Sequence, residues 1–263
     1  MFRGSSATAG KPAFVNRSAT AIGAAAILLL SANYAHAAIV TFSASDIGIG
    51  PGVTPTNSNA EASLFDSAAG ALGTESVITY ENAPLGPFTS LTAAPGVIVT
   101  GIDYLHNNLS INNTPYLPGA PALAGFNTTV GGGYYLNLLA GTATYTFTSP
   151  VQAFGSYFTG VQPSFFNDTI TFNDGASQTI AIPSADRSSG GVSFAGFTDQ
   201  GASISSVTVT AGQGSTGDFI GIDDTRFVPN ASTPEPATTA TFGIMAIGLG
   251  GLILAAKRKK LTA

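Results

Sequence analysis

The residues of this sequence that could do chemistry are mainly carboxylates. The chain has fourteen Asp and Glu, two His and no Cys. The absence of cysteine excludes disulfides, thiolate zinc sites and a cysteine nucleophile. A serine nucleophile needs a histidine base, and His106 lies in an Asn-rich stretch that is typical of a solvent-exposed loop. The other histidine, His36, belongs to a segment that we expect to be removed, so we expect no histidine-dependent active site.

A pair of carboxylates could also hydrolyse glycosidic bonds. Many Asp and Glu are available, but no spacing along the chain singles out a pair. The glycine run Gly131-Gly132-Gly133 lacks the following Lys or Ser of a phosphate-binding loop, and we interpret it as a flexible turn before Tyr134. We therefore expect a protein that is not an enzyme. A carboxylate-based glycosidase is the least favoured alternative.

Charge is distributed unevenly along the chain. Only two basic residues, Arg187 and Arg226, lie in the long middle part, whereas all fourteen acidic residues lie between Asp46 and Glu235. The basic residues of the two ends are Arg3, Lys11, Arg17, Lys257, Arg258, Lys259 and Lys260. An acidic body repels phosphate backbones, which argues against nucleic acid as a partner and makes divalent cations the natural counter-ions.

The N-terminal segment, residues 1–37, follows the plan of a secretory signal peptide. Basic residues precede an apolar run from Ala21 to Ala32, and the small residues Ala35 and Ala37 flank His36. The apolar run is short for a bilayer span, which favours a cleaved signal over a retained anchor. We expect cleavage between Ala37 and Ala38.

The C-terminal segment contains an uncharged stretch of twenty residues, 237–256. As a helix it would be about 30 Å long, which matches the hydrocarbon thickness of a bilayer. The basic cluster at 257–260 would hold the tail, residues 257–263, in the cytoplasm and leave the body on the other side. We expect a single transmembrane helix here.

A proline-rich linker, residues 229–236, precedes this stretch and ends in Pro234-Glu235-Pro236. The order of Pro-Glu-Pro, a Gly-rich apolar helix and a basic terminus resembles the PEP-CTERM sorting signal of Gram-negative bacteria, which is also labelled the ice-binding protein C-terminal domain. The resemblance implies recognition by an exosortase-like membrane protease, cleavage near the motif and release of the body to the cell surface or extracellular matrix. The alternative is an ordinary single-pass anchor behind a proline-rich linker.

The body, residues 38–228, is rich in short runs of β-branched and aromatic residues. Ala143, Tyr145 and Phe147 alternate with threonines, which predicts strands with one buried and one solvated face. We predict an all-β, antiparallel β-sandwich with at most one short helix, around residues 61–72. Ten strands are predicted, at 38–42, 77–81, 97–104, 134–139, 142–148, 154–158, 169–172, 178–182, 207–210 and 219–227. Asn173-Asp174-Gly175 predicts a tight hairpin turn.

Two segments of the body, Ile78-Thr79-Tyr80-Glu81-Asn82 and residues 219–227, are similar to the first and last strands of jelly-roll domains found among PEP-CTERM proteins and carbohydrate-binding modules. In such modules an early glutamate and an aspartate of the closing strand share a structural calcium. The resemblance thereby implies a calcium site formed by Glu81 with Asp223 or Asp224. The alternative is that the two aspartates are solvent-exposed strand-end residues, one of them paired with Arg226.

These features together predict an exported protein of the cell surface or extracellular matrix with a structural or interaction role, anchored by its C-terminal helix and processed by an exosortase-like enzyme. The alternative function is that of a calcium-stabilised carbohydrate-binding module. Tyr134 and Tyr135 point to opposite faces of a strand, so one of them could be exposed and stack on a sugar ring; the absence of tryptophan weighs against such a platform. The expected partners are the protease, the membrane and an extracellular polysaccharide.

The cleavage site is directly testable. N-terminal sequencing of the protein exported from a Gram-negative host should begin at Ala38. Recovery of exported protein with residues 1–37 still attached would show that the segment is not a cleaved signal peptide.

Overall fold

The computed structural model describes residues 38–103, 108–115, 125–162, 168–185, 190–212 and 218–230. These residues form thirteen strands and one helix, and every paired strand runs antiparallel to its neighbours, so the predicted all-β antiparallel class is confirmed. The elements are β1 Val40–Ile47, α1 Thr56–Leu72, β2 Ser76–Ile78, β3 Gly86–Phe88, β4 Ser90–Ala94, β5 Val97–Asp103, β6 Leu109–Asn112, β7 Tyr135–Leu139, β8 Gly141–Thr159, β9 Thr169–Asn173, β10 Ser177–Ala181, β11 Gly191–Thr198, β12 Ile204–Thr210 and β13 Phe219–Pro229.

Strand β8 is 19 residues long and is shared by two sheets. Residues 142–147 pair with β5 and β12, whereas residues 153–159 pair with β11 and β13. The change of partners falls around Pro150, which has no amide hydrogen to donate to a ladder. Sheet one therefore has the order β4-β5-β8-β12-β9-β10, and sheet two the order β1-β11-β8-β13-β7-β6-β3, with β2 also paired to β13.

Aromatic side chains from both sheets form the main core. Phe172 of sheet one stacks on Phe197 of sheet two with 3.7 Å between ring centroids, and Tyr145 meets Phe154 at 5.2 Å. The predicted alternation along β8 is confirmed, because Tyr145 is buried while the flanking threonines of this strand are half-buried or exposed. Sheet one thus buries one face and presents a threonine-rich face to solvent.

Helix α1 covers the second face of sheet two. Phe65 is completely buried and contacts the rings of Phe42 and Phe194 at 5.6 and 5.5 Å. Its ring lies over Gly155 and Gly196, which face each other across β8 and β11. Because sheet two is covered on both sides, every residue of β11 is buried and its sequence shows no alternation.

The start of α1 is fixed by a carboxylate from β1. Pro55, at the N-cap position, makes no side-chain cap, and Asp46 instead accepts the amide hydrogens of Asn57 at 2.9 Å and Ser58 at 2.7 Å. Burial raises the pKa of Asp46, but these hydrogen bonds lower it by more, so the net pKa lies below its ordinary value. The helix predicted around residues 61–72 therefore begins earlier than its apolar pattern indicates.

Both predicted membrane-targeting segments lie outside the described residues. This applies to the signal peptide 1–37, to Pro234-Glu235-Pro236, to the apolar stretch 237–256 and to the tail 257–263. Within the described part of the chain, no helix has the length and apolarity to cross a bilayer.

The glycine pair under Phe65 gives a test of the packing. A Cβ atom at Gly196 would lie 2.7 Å from the Cα of Gly155 and 2.8 Å from the main-chain oxygen of Phe154, so the paired strands would have to move apart. We expect Gly196→Ala to lower the free energy of unfolding by roughly 1–3 kcal/mol in chemical denaturation.

Gly70→Ala is the matched control. Gly70 is an exposed residue of α1, and a Cβ added there would have no atom within 4 Å. Alanine favours a helix over glycine by up to about 1 kcal/mol, so this variant should be more stable than the wild type. Similar losses in both variants would contradict the packing described for Gly196.

Candidate functional site

Strand β13 has a β-bulge where the two predicted aspartates lie. Its register against β8 shifts between Asp223 and Arg226, and Asp224 adopts a φ of 45°. In a regular strand, successive side chains point to opposite faces of the sheet. The bulge and the left-handed backbone allow the carboxylates of both Asp223 and Asp224 to reach one loop, residues 127–134.

This loop supplies hydrogen-bond donors to both aspartates. Asp223 Oδ2 accepts the amide hydrogens of Thr128 at 2.7 Å and Thr129 at 3.1 Å. The Thr129 hydroxyl donates to Asp224 Oδ1 at 2.7 Å. Asp223 is fully buried, so these donors replace the water that its carboxylate has lost.

Glu81 reaches the same loop from the turn that follows β2. The preceding Tyr80 is buried with a φ of 60°, and its hydroxyl lies 2.6 Å from that of Tyr145. Glu81 Oε1 accepts the amide hydrogens of Gly133 and Tyr134, both at 2.9 Å. A Cβ atom at Gly132 would overlap the Glu81 carboxylate, so this carboxylate can approach the loop only because residue 132 has no side chain. The sequence alone did not reveal this role of the triglycine run.

The structure brings two of the three predicted calcium ligands, Glu81 and Asp223, together around Asn127, whereas Asp224 contacts Thr128 and Thr129. The side-chain nitrogen Nδ2 of Asn127 lies 3.0 Å from Glu81 Oε1, 3.1 Å from Asp223 Oδ2 and 2.8 Å from the main-chain oxygen of Tyr134. Three oxygens from separate segments thus surround one atom. Among the described residues no group of three or more His, Cys, Asp or Glu is arranged to hold a metal ion, and calcium binding stays a prediction.

Burial dominates the electrostatics of Asp223. Desolvation and the neighbouring charge of Asp224 raise the pKa of Asp223 to about 7, against the lowering effect of the amide hydrogens of Thr128 and Thr129. A buried carboxylate with a raised pKa is destabilising when it is ionised. An added positive charge at this point would stabilise it.

A cavity of about 710 Å³ adjoins the carboxylate cluster. It is bounded by loop 50–55, by the 127–133 part of the loop and by α1, which contributes Asn59, Ser63 and Asp66. Asp224 and Arg226 of β13 also line it. The cavity therefore contains donors and acceptors from at least four separate segments.

Arg226 is the only Lys or Arg among the described residues. Its Nε lies 3.1 Å from Asp66 Oδ1 and 3.7 Å from Glu75 Oε1; the contact with Asp66 is an ion pair by distance, without the directed geometry of a hydrogen bond. Its Nη1 donates to the main-chain oxygen of Asp224 at 2.8 Å, and the guanidinium lies 5.1 Å from the centre of the Tyr157 ring. The interpretation of the aspartates as exposed residues paired with Arg226 is therefore wrong for Asp223, and Asp224 contacts Arg226 through its main chain.

The aromatic residues near the site are not exposed stacking platforms. Tyr135 is fully buried, and its hydroxyl donates to the main-chain oxygen of Thr114 at 2.8 Å. Tyr134 is half-buried and packs against the main core. Tyr157, which lines the cavity, is 5% exposed and donates its hydroxyl to Asn59 Oδ1 at 2.7 Å. The accessible lining of the cavity combines polar groups with apolar surface, and none of these three tyrosines presents an open ring face to it.

Comparisons with known proteins give little. No family model matches the chain, and no curated protein matches its sequence. One solved structure with detectable similarity is that of TmCBM61 in complex with β-1,4-galactotriose. It is 12% identical, the match covers 58% of this chain and 94% of that chain, and the TM-score is 0.28. A TM-score this low supports no conclusion about the function of this chain.

The raised pKa of Asp223 predicts a pH dependence of stability. Between about pH 4 and pH 7 the folded protein retains a proton on Asp223 that the unfolded chain has released. In the presence of chelator the stability should therefore fall as pH rises through this range, by up to roughly 1.4 kcal/mol per pH unit from this group. Denaturant unfolding between pH 4 and pH 8 measures the slope.

Asp223→Asn should flatten this part of the slope, because an amide does not titrate. Glu61→Gln is the control: the Glu61 carboxylate accepts the amide hydrogen of Ser43 and lies outside the cluster. If both variants kept the wild-type slope, Asp223 would not be the group responsible.

Proposed function

We propose that this chain is a non-enzymatic, exported β-sandwich protein of the bacterial cell surface or extracellular matrix that binds a neutral polysaccharide in the cavity beside Arg226. The cavity is the observation that carries the proposal. Its volume of about 710 Å³ lies in the range typical of small-molecule sites, roughly 300–1,000 Å³. Such a volume suits a few sugar units.

The chemistry of the lining favours a neutral, hydroxyl-rich ligand. Sugar hydroxyls donate and accept hydrogen bonds, and the lining offers Ser63, Asn59 and the carboxylates of Asp66 and Asp224. The positive charge of Arg226 is balanced by Asp66 and Glu75, which leaves no free cation among the described lining residues to attract an anionic ligand. The carboxylates that line the cavity would repel acidic polysaccharides and nucleic acids.

We further propose that calcium stabilises the loop beside this cavity. The oxygens of Glu81, Asp223 and Tyr134 already converge on Asn127 Nδ2. The orientation of an Asn amide is assigned from its hydrogen bonds, and turning this amide over would add Asn127 Oδ1 to the three oxygens. A hard cation prefers such a set of carboxylate, amide and main-chain oxygens. Bound calcium would also relieve the repulsion between the ionised carboxylates and fix the loop that lines the cavity.

Export, anchoring and exosortase processing remain part of the proposal on the strength of the sequence patterns at residues 1–37 and 234–260. A polysaccharide-binding protein that is released at the surface would encounter its ligand in the matrix. The absence of a histidine-based or cysteine-based nucleophile pattern in the sequence supports binding without catalysis.

The binding proposal can be tested with two matched serine variants. Ser63 and Ser67 are exposed, one turn apart on α1, and each hydroxyl donates to the main-chain oxygen four residues earlier. Only Ser63 lines the cavity. On a glycan array the purified protein should bind neutral polysaccharides in calcium and leave them uncut. Ser63→Trp should weaken binding at least about tenfold, the equivalent of about 1.4 kcal/mol, by filling the cavity.

Ser67→Trp should bind like the wild type. Equal losses in the two variants would place the binding site elsewhere, and an array without any bound neutral glycan would refute the proposal.

The calcium proposal predicts a change in thermal stability. Saturating calcium should raise the midpoint of unfolding relative to chelator, with a gain of about 2.7 kcal/mol when calcium exceeds its dissociation constant 100-fold. Glu81→Gln should lose the part of this gain that comes from its own site, whereas Glu61→Gln on α1 should keep the whole gain. An unchanged gain in Glu81→Gln would exclude this carboxylate as a calcium ligand.

A further inference from the structure

A second pair of buried carboxylates lies apart from the cavity and from the 127–134 loop. Asp168 comes directly before β9 and is 3% exposed; Asp218 comes directly before β13 and is 1% exposed. Their carboxyl groups are neighbours, close enough for each to affect the pKa of the other. The proposed function uses neither residue.

The two backbones are held firmly by neighbouring segments. The main-chain oxygen of Asp168 accepts the amide hydrogen of Ile182 at 2.8 Å, and that of Asp218 accepts the amide hydrogen of Ala140 at 2.6 Å. The Asp218 side chain is also oriented: Oδ2 accepts the Gln162 amide at 2.6 Å and Oδ1 the Phe219 amide at 2.8 Å. The position of this carboxylate is thus preset, and each of its oxygens keeps an unused lone pair.

Asp168 is the unusual member of the pair. Both of its carboxylate oxygens are buried, and neither has a hydrogen bond of acceptable geometry. The Gly212 amide is near enough to lower the pKa of Asp168, but burial and the adjacent Asp218 raise it by more. A buried carboxylate without a donor is rare in native proteins and requires an explanation.

Among the described residues, no Lys or Arg side chain neutralises the carboxylate of Asp168. Arg226 is the only Lys or Arg among them, and it contacts Asp66 and Glu75 instead. Two carboxylates in contact at neutral pH must then either share a proton or bind a cation. Burial and the adjacent Asp218 raise the pKa of Asp168 well above its ordinary value, so without a cation the pair would hold a proton at neutral pH, and a bound cation would displace it.

We propose that Asp168 and Asp218 form a binding site for a divalent cation, most suitably calcium, which joins the starts of β9 and β13. Free lone pairs on rigidly held carboxylate oxygens are the donors that a hard cation uses, and the backbone amides that orient Asp218 act as a supporting outer layer. With two carboxylates the affinity should resemble that of extracellular calcium modules, on the order of 10⁻⁴ to 10⁻³ M.

Counting bound calcium tests this proposal independently of the Glu81 site. In equilibrium dialysis with radiolabelled calcium up to several millimolar at pH 7.5, Asp168→Asn in the full chain should bind one ion per chain fewer than the wild type. Glu81→Gln should retain the ion at Asp168. The difference of one ion is expected whether or not the Glu81 site binds calcium, so failure of one proposal is distinguishable from failure of the other.

Asp168→Asn should fold like the wild type, because the asparagine side chain is the same size as aspartate and can donate a hydrogen bond to Asp218. Asp168→Asn should keep the near-ultraviolet circular dichroism of the wild type and unfold at a higher temperature than the wild type in chelator, since a buried amide is neutral without binding a proton. Asp218→Asn should show the same loss of one ion. Equal numbers of bound ions in the wild type and both variants would overturn the proposal in favour of a shared proton.

Discussion

The scarcity of positive charge is the constraint on which the rest of the structure depends. The described residues contain twelve Asp and Glu but a single Lys or Arg, Arg226. The fold therefore satisfies its carboxylates by other means. Asp46 accepts the first amides of α1, Asp223 and Glu81 accept the amides of the 127–134 loop, and Arg226 is shared between Asp66 and Glu75. Each arrangement ties together segments that are distant in sequence, so the acidic residues help to position the helix and the loop that border the cavity.

Most of the longer strands were predictable from the sequence, whereas the fully buried β11 and the short strands β3, β4 and β6 were missed. The alternation around Tyr145 and the turn at Asn173-Asp174-Gly175 gave the correct elements, because a residue period of two and positive-φ residues are local signals. β11 was missed because α1 covers the outer face of its sheet and every position is buried. The runs predicted at 142–148 and 154–158 are one strand, β8, since Pro150 changes the pairing partners without ending the strand.

The sequence indicated the acidic residues of the candidate site, but it did not indicate their hydrogen-bond partners in the 127–134 loop. Glu81 and Asp223 share the Asn127 amide, and Asp223 and Asp224 share the Thr128 hydroxyl, whereas metal binding by these residues stays a prediction. Nothing in the sequence indicated Asn127, whose amide joins Glu81 to Asp223, because hydrogen-bond partners that are 46 and 96 residues apart leave no local pattern. The bulge at Asp224 was equally hidden: a left-handed aspartate in a strand is imposed by tertiary contacts and not by its neighbours in sequence.

The position of β13 determines the order in which the fold can be completed. This last strand lies inside sheet two, between β7 and β8, which are consecutive in sequence but are not paired to each other. A ribosome that has made everything up to β12 has therefore produced a sheet with its central strand missing, and with unpaired edges on both sides of the gap. Sheet two cannot be completed before residues 219–229 have been synthesised, so the chain stays incompletely folded for most of its synthesis.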